Sequence, residues 1–290
     1  MRGTFRLSAW FEAAPPPMLV MGGIVSIQVG AAFAKQLFDQ AGPAGVVALR
    51  LFFAAILLLL WWRPGLRMTR HHWALVIAFG AVLGLMNFSF YQSFARIPLG
   101  MAVTIEFLGP LSVALLGSRR WRDALWALLA GAGVVLLTDG GGDVNLAGVL
   151  LALVAAACWA AYIVLGARMG QQTSGGAGLA LGTAFAAIVV VPVGAVESGT
   201  ALLSPHLLAV GLAVAVMSSV VPYSLEIEAL RRMPTRVFGV LMSLEPAVAA
   251  LAGLAVLGER LSLPQWLAIG CVVIASIGAA RGAKLPPRDA

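Results

Sequence analysis

Long apolar runs alternate with short polar stretches from residue 18 to residue 281. Each run has about 17–24 residues, the length that an α-helix needs to cross the hydrocarbon core of a bilayer. Ten runs are present, at residues 18–37, 44–62, 73–94, 99–117, 122–138, 146–167, 177–196, 207–230, 236–257 and 264–281. The pattern predicts an all-α polytopic membrane protein with ten transmembrane helices.

The basic residues predict how these helices are oriented. If both termini lie in the cytoplasm, fifteen of the nineteen Lys and Arg residues fall on the cytoplasmic side and three on the other, with Arg50 inside a span. Such an excess is typical of cytoplasmic loops. We therefore interpret the formal net charge of +7 as a determinant of topology, and expect a lipid bilayer but no nucleic acid as a partner.

Residues 1–17 and 282–290 are expected to be cytoplasmic segments outside the spans. Further spans follow residues 18–37, so this first run is predicted to be a retained helix rather than a cleaved signal peptide. The sequence leaves open whether the protein is a monomer or a homodimer.

Composition excludes several classes of protein. The chain of 290 residues is 61% hydrophobic and 11% charged, which is too apolar for a soluble domain and for a disordered chain. Two Cys residues cannot form a disulfide scaffold. The sequence has no evident phosphate-binding loop, metal-ligand spacing or set of catalytic residues. We therefore expect that the protein is not an enzyme and binds no metal or cofactor. A proton gradient is the expected driving force.

Two segments of the chain resemble each other. Arg96, Pro98 and Pro110 recur at an offset of 136 residues as Arg232, Pro234 and Pro246, in the link between the third and fourth helix of each half. The halves, residues 18–138 and 146–281, are predicted to have five helices each, and an odd number gives them opposite orientations. Inverted 5+5 repeats are typical of transporters, with the substrate site near the middle of the membrane.

Three acidic residues within the spans are candidates for the site. Glu106, Glu226 and Glu245 are costly to place in lipid, so we expect them to face a cavity, for proton coupling or for recognition of a substrate ammonium group. The alternative is a structural hydrogen bond to a neighbouring helix. A fourth acid, Glu228, is predicted to pair with Arg231 or Arg232.

Further candidates surround these acids. Arg50 is interpreted as a partner for a substrate carboxylate or for Glu106, or as an arginine that snorkels to the membrane surface. Lys35, at a helix end, is expected to snorkel. Possible cavity-lining residues are Asn87, Tyr91, Trp159 and Tyr223, with Gln28 and Tyr162 as further options, although aromatic residues in apolar helices more often serve packing. Helix kinks are predicted near the prolines, because each frees a backbone carbonyl four residues earlier: Pro110, Pro222 and Pro246.

The chain resembles the drug/metabolite transporter superfamily in its EamA-domain branch, and more narrowly the bacterial threonine/homoserine exporters. The resemblance covers about residues 18–281 and is carried by residues 31–35, 47–50, 98–110, 118–120, 158–163, 222–226, 234–246 and 257–259. It implies ten helices in two inverted halves around a central cavity. It also implies a location in the bacterial inner membrane and export of small amino acids, with protons as the counter-ion.

The resulting hypothesis is a secondary active exporter of threonine- or homoserine-like amino acids that works by proton antiport and alternating access. The first alternative is an exporter of the same fold for another polar metabolite or a drug. A channel and a membrane-embedded enzyme are less favoured, because an inverted repeat is typical of transporters and catalytic residues are not evident.

Overall fold

The computed structural model describes residues 14–66, 68–116, 121–139, 145–170 and 176–282, and within these ranges every regular element is helical. The terminal segments 1–13 and 283–290 and the link 140–144 between the proposed halves lie outside the described residues. The helices are α1 (Pro16–Gln36), α2 (Phe38–Trp62), α3 (Arg70–Phe94), α4 (Leu99–Glu106), α5 (Leu108–Leu116), α6 (Trp121–Asp139), α7 (Leu146–Gly170), α8 (Ala177–Ser198), α9 (Pro205–Ala215), α10 (Val221–Arg232), α11 (Thr235–Met242), α12 (Glu245–Leu257) and α13 (Leu263–Gly282).

Nine helices within the described residues are long and apolar enough to cross a membrane. They correspond to nine of the ten predicted runs, with α4–α5, α9–α10 and α11–α12 each counted as one span. The remaining run, 122–138, lies in α6, whose apolar part Ala124–Leu137 is shorter. Large apolar side chains such as Leu60, Leu128 and Ile188 are more than 60% exposed, as expected for surfaces that contact lipid rather than water. The chain is a multi-pass membrane protein.

Three spans are interrupted near their middle, each shortly before a proline. α4 ends at Glu106 and α5 begins at Leu108, two residues before Pro110. α11 ends at Met242 and α12 begins at Glu245, next to Pro246. Between α9 and α10 lies a π-helical turn, Val216–Val220, immediately before Val221 and Pro222. A proline removes one backbone hydrogen bond of the helix, so the backbone is locally irregular where these helices meet the interior of the bundle.

Helices from the first part of the chain pack against helices from the second part. The larger contacts join α2 with α8, α3 with α7 and α8, α6 with α13, and α1 with α10 and α12. Small residues permit close approach: a Cβ atom at Gly100 would lie 2.7 Å from Ala250 on α12, and one at Gly80 would lie 2.6 Å from the carbonyl oxygen of Gly182. The core is therefore made between the two parts of the chain.

An ion pair connects three segments at one end of the bundle, which we call the Lys35 end. Nζ of Lys35 donates to Oε1 of Glu259 at 2.6 Å and to the carbonyl oxygen of Ile97 at 3.1 Å. Oε2 of Glu259 accepts the backbone N–H of Leu99 at 2.8 Å. The prediction that Lys35 snorkels was wrong, because the loop after α12 brings a carboxylate within its reach.

Glu228 pairs on its own helix, as predicted. Its carboxylate lies 2.8 Å from Nε of Arg232 and 3.5 Å from Nη1 of Arg231. The three charged residues lie in the last turns of α10. This places Glu228 near the end of a span, where charged groups are tolerated more readily than at its centre.

Candidate functional site

A cavity of about 270 Å³ lies among the central parts of the helices. Seven of the eight residues predicted to bind substrate or protons lie on its wall, and they come from six different spans: Arg50, Asn87, Glu106, Trp159, Tyr223, Glu226 and Glu245. Other polar side chains on the wall are those of Gln28, Tyr162, Thr183, Ser218 and Ser219. The rest of the wall is apolar.

The helix interruptions place two carboxylates at helix ends inside the bundle. Glu106 is the last residue of α4, and Glu245 is the first residue of α12. Both are buried, with 8% and 5% of their surface exposed. Glu106 lies within electrostatic range of Glu245 and Arg50, and Glu245 lies within range of Glu226. Three carboxylates and one guanidinium group therefore share the cavity, so negative charge exceeds positive charge when all of them are ionised.

Arg50 is the cationic group of this cavity. Its Nη1 donates to Oδ1 of Asn87 at 2.8 Å, and its Nη2 donates to the carbonyl oxygen of Ser218 at 3.5 Å. Asn87 is held by its own donation to the carbonyl oxygen of Leu83 at 2.9 Å. Nε of Arg50 is buried without a hydrogen-bond partner, and within the described residues no carboxylate forms a salt bridge with it. The guanidinium group can therefore bind an anionic ligand.

Tyr91 was expected to line the cavity, but the structure places its ring against Arg50 and not on the cavity wall. Its side chain is 1% exposed, and its ring centroid lies 5.5 Å from the guanidinium carbon of Arg50. The ring belongs to an aromatic cluster with Phe38, Phe90 and Phe94. Tyr91 shares a helix face with Asn87, but the long side chain of Arg50 lies over it. Its ring supports the arginine by a cation–π contact.

Gln28 joins the site from α1. Its Nε2 donates to Oε1 of Glu245 at 3.0 Å, across 217 positions of the chain. Ser218 and Thr183 also reach the wall, although the sequence did not single them out as candidates. Polar residues with small side chains are common in membrane helices, so their identity alone carries a weak signal.

Aromatic side chains form another part of the wall. The hydroxyl groups of Tyr162 and Tyr223 lie 2.7 Å apart and share a hydrogen bond. Trp159 packs edge-on against Phe107, with ring centroids 5.7 Å apart. Together with Met242, Trp159 also lines a second, mostly apolar pocket of about 240 Å³ between α5, α7, α11 and α13. These two side chains lie between the polar cavity and the apolar pocket.

Access to the cavity differs between the two ends of the bundle. At the Lys35 end, the ion pair and the aromatic cluster around Phe94 close the interior. Towards the other end, α2 packs along α9 and the π-helical turn but separates from α10. A groove of about 290 Å³ lies between these helices and shares Leu58 and Tyr223 with the cavity. The groove therefore adjoins the cavity on the side away from Lys35.

Within the described residues, no three His, Cys, Asp or Glu side chains converge closely enough to hold a metal ion. The three carboxylates of the cavity come from three different helices, α4, α10 and α12. This arrangement suits protons or a ligand that carries several polar groups.

Curated relatives cover nearly the whole chain. It is 44% identical over 289 residues to the threonine/homoserine exporter RhtA of Salmonella typhimurium, covering 98% of this chain and 96% of the relative. It is 45% identical over 267 residues to the protein of the same name from Escherichia coli K12, covering 91% and 90%. The uncharacterized transporter YwfM of Bacillus subtilis is 27% identical over 248 residues, covering 81% and 83%.

A solved crystal structure has the same fold, with a TM-score of 0.59 at 17% sequence identity, and covers 90% of this chain and 96% of the other. The EamA-like transporter family matches the chain twice, over residues 16–138 and 146–281. The relatives are named as transporters and not as enzymes. With matches over nearly its full length, this chain belongs to the EamA-like transporter family.

Proposed function

We propose that this protein is a secondary active exporter of threonine- and homoserine-like amino acids that works by proton antiport. The observation that carries the proposal is a cavity whose wall holds one guanidinium group without a salt bridge among the described residues, together with three carboxylates. A zwitterionic amino acid is complementary to this charge pattern. The Salmonella typhimurium and Escherichia coli K12 relatives, both named as threonine/homoserine exporters, support the choice of substrate.

The wall suggests how such a substrate is held. The substrate carboxylate would accept hydrogen bonds from Arg50, whose orientation is fixed by Asn87 and Tyr91. The ammonium group would lie towards Glu106 and Glu226. Tyr162 and Tyr223 offer hydroxyl groups that could pair with a side-chain hydroxyl of the substrate.

We assign the chain ten transmembrane helices in two inverted halves, residues 18–138 and 146–281. The family matches twice over nearly the same ranges. The helix contacts also agree with this division, in which α1, α2 and α3 correspond to α7, α8 and α9–α10. The contact of α1 with α10 then corresponds to that of α7 with α3, and the contact of α2 with α9 to that of α8 with α3. α6 takes the place of a tenth span beside α13, with Trp126 against Gly278 and Gly133 against Ala268.

We further propose alternating access, with the described conformation open to the cytoplasm. The basic loops assign both termini to the cytoplasm, which puts the Lys35 end outside. The closed outer end and the separation of α2 from α10 at the inner end then fit a cytoplasm-facing state of an inner-membrane protein. Rocking of the halves would open the outer end and close the inner one.

A specific test is uptake into inside-out membrane vesicles with an acidic lumen. We expect saturable uptake of labelled threonine that homoserine competes for and that requires the proton gradient. The double variant Glu106→Gln/Glu245→Gln should lose this uptake, whereas Glu197→Gln, which changes an exposed acid at the end of α8, should keep it. Absence of uptake by folded wild-type protein would overturn the substrate assignment.

The apolar pocket behind Trp159 and Met242 favours a second candidate, an exporter of the same fold for metabolites or drugs with a larger apolar group. Competition by a panel of such compounds against threonine would distinguish the two. Competition by bulky compounds with no effect of homoserine would favour the second candidate.

A further inference from the structure

Gln28 and Glu245 form a polar pair between α1 and α12 that is incomplete. Both side chains are more than nine-tenths buried, and a single hydrogen bond from Nε2 of Gln28 to Oε1 of Glu245 joins them. The other two polar atoms, Oε1 of Gln28 and Oε2 of Glu245, are buried without a hydrogen-bond partner. An amide oxygen and an ionised carboxylate oxygen are both acceptors, so neither can satisfy the other.

One proton on Glu245 removes this conflict. A protonated carboxyl group has an O–H donor, and it can donate to Oε1 of Gln28 while its carbonyl oxygen keeps the N–H of the amide. The two end groups then share two hydrogen bonds and no buried acceptor is left over, as is usual for buried polar groups. Gln28 is therefore suited to recognise the protonated form of Glu245.

The ionised form of Glu245 has separate support. The residue lies in the first turn of α12, where the positive end of the helix dipole stabilises a negative charge. A proton carrier must be able to occupy both states, and here the amide of Gln28 favours the protonated form while the helix dipole favours the ionised form.

Glu245 differs from the other two acids of the cavity in having a side-chain amide as its partner. The ionisable groups that act on it are Glu226 on α10 and Glu106 on α4, and Arg50 on α2 lies within electrostatic range of Glu106. The ionisable residues of α13 are Cys271 and Arg281, and neither lies on the cavity wall. In the part of the chain that the structure describes, neither Glu106 nor Glu226 has a side-chain amide partner of this kind.

We propose that Gln28 and Glu245 together form the proton-binding site of this transporter, with Glu245 as the carrier and Gln28 as the positioning residue. The inference rests on the proposed antiport and assigns its coupling site. A proton that binds to Glu245 removes one negative charge from the cavity and so weakens the attraction for a substrate ammonium group. Proton entry from outside would thereby promote substrate release there.

Infrared difference spectra between acidic and alkaline samples test the site directly. Purified wild type should show the band of a protonated carboxyl group. The band should be missing from Glu245→Gln and move to higher frequency in Gln28→Leu, because the carbonyl oxygen loses its donor. Gln36→Leu is the matched control, since Gln36 is an exposed glutamine at the end of the same helix, and it should leave the band unchanged.

Transport supplies the second readout. The Glu245→Gln variant replaces the acid–amide pair with an amide–amide pair, which can form the same two hydrogen bonds and should preserve the fold. It should keep the exchange of labelled for unlabelled threonine, while gradient-driven accumulation falls at least about tenfold.

Accumulation at the wild-type level in Glu245→Gln, or an unchanged infrared band in that variant, would overturn the assignment of the site. A wild-type protein that neither accumulates nor exchanges threonine, but shows the infrared changes, would instead overturn the proposed substrate and leave the proton site standing.

Discussion

The ion pair at the Lys35 end should make a measurable contribution to stability. The side chains of Lys35 and Glu259 are only 21% and 15% exposed, so solvent screens the charges less than at an open surface. Replacement of Glu259 by Ala leaves the ammonium group of Lys35 without its counter-charge and the backbone N–H of Leu99 without its acceptor. Loss of one partner of a buried pair costs about 3–5 kcal/mol, and an unsatisfied N–H about 1–3 kcal/mol.

Because the pair is partly exposed and water can reach the N–H, we expect the lower end of these ranges, about 3 kcal/mol for Glu259→Ala. Lys35→Ala should cost less, about 1–2 kcal/mol, because Glu259 keeps the hydrogen bond from Leu99. The double variant should cost less than the sum by about 1–2 kcal/mol, which is the coupling within the pair.

The measurement is a double-mutant cycle on the free energy of unfolding of the purified protein, titrated with SDS in mixed micelles. Arg260→Ala, next to Glu259 in sequence, serves as a control that removes a charge without removing this pair. Costs of the single variants that add up in the double variant would refute the reasoning, because they would show that the two charges do not interact.

Three further predictions concern the cavity and the packing of the helices. Arg50→Lys should raise the KM for threonine about tenfold or more with a smaller change in maximal rate, because lysine cannot form the two-pronged contact with a carboxylate and with Asn87; concentration-dependent vesicle uptake checks this, and an unchanged KM would contradict it. Gly100→Val should lower stability by about 1–3 kcal/mol, since even a Cβ atom would meet Ala250 at 2.7 Å, whereas Gly131→Ala has open space and should be tolerated; SDS unfolding of both variants compares them. Trp159→Ala should join the cavity to the apolar pocket and let leucine or phenylalanine compete for threonine uptake, and competition unchanged from wild type would show that Trp159 does not separate the two spaces.

The sequence predicted the presence of the site better than its internal contacts. Glu106, Glu226 and Glu245 stand out because a charged residue within an apolar span is costly wherever it faces. All three side chains line the same cavity, which agrees with the cost of placing them in lipid. Gln28 gave a weaker signal, since an amide can be accommodated in a membrane helix by many different partners.

Tyr91 and Lys35 show where reasoning from single helices fails. Helical spacing correctly places Tyr91 on the face of Asn87, but only the packing of α2 against α3 decides that Arg50 lies over its ring. For Lys35, the position at the end of α1 is evident from the chain, but its partner Glu259 lies 224 positions away. At the end of an isolated helix, the Lys35 side chain would snorkel to the membrane surface. In the folded bundle it binds the carboxylate of Glu259 instead.

The sequence by itself determined that this is a multi-pass helical membrane protein, because the length and apolarity of a span are local properties that the bilayer requires of every helix. It also determined which residues are costly to bury. Only the tertiary structure decided which faces of these helices meet, and with them the presence of Arg50 and the carboxylates in one cavity and the pairing of Gln28 with Glu245. Such contacts join residues that are distant in the chain, 217 positions apart for Gln28 and Glu245, and their geometry depends on side-chain packing between helices that local patterns do not encode.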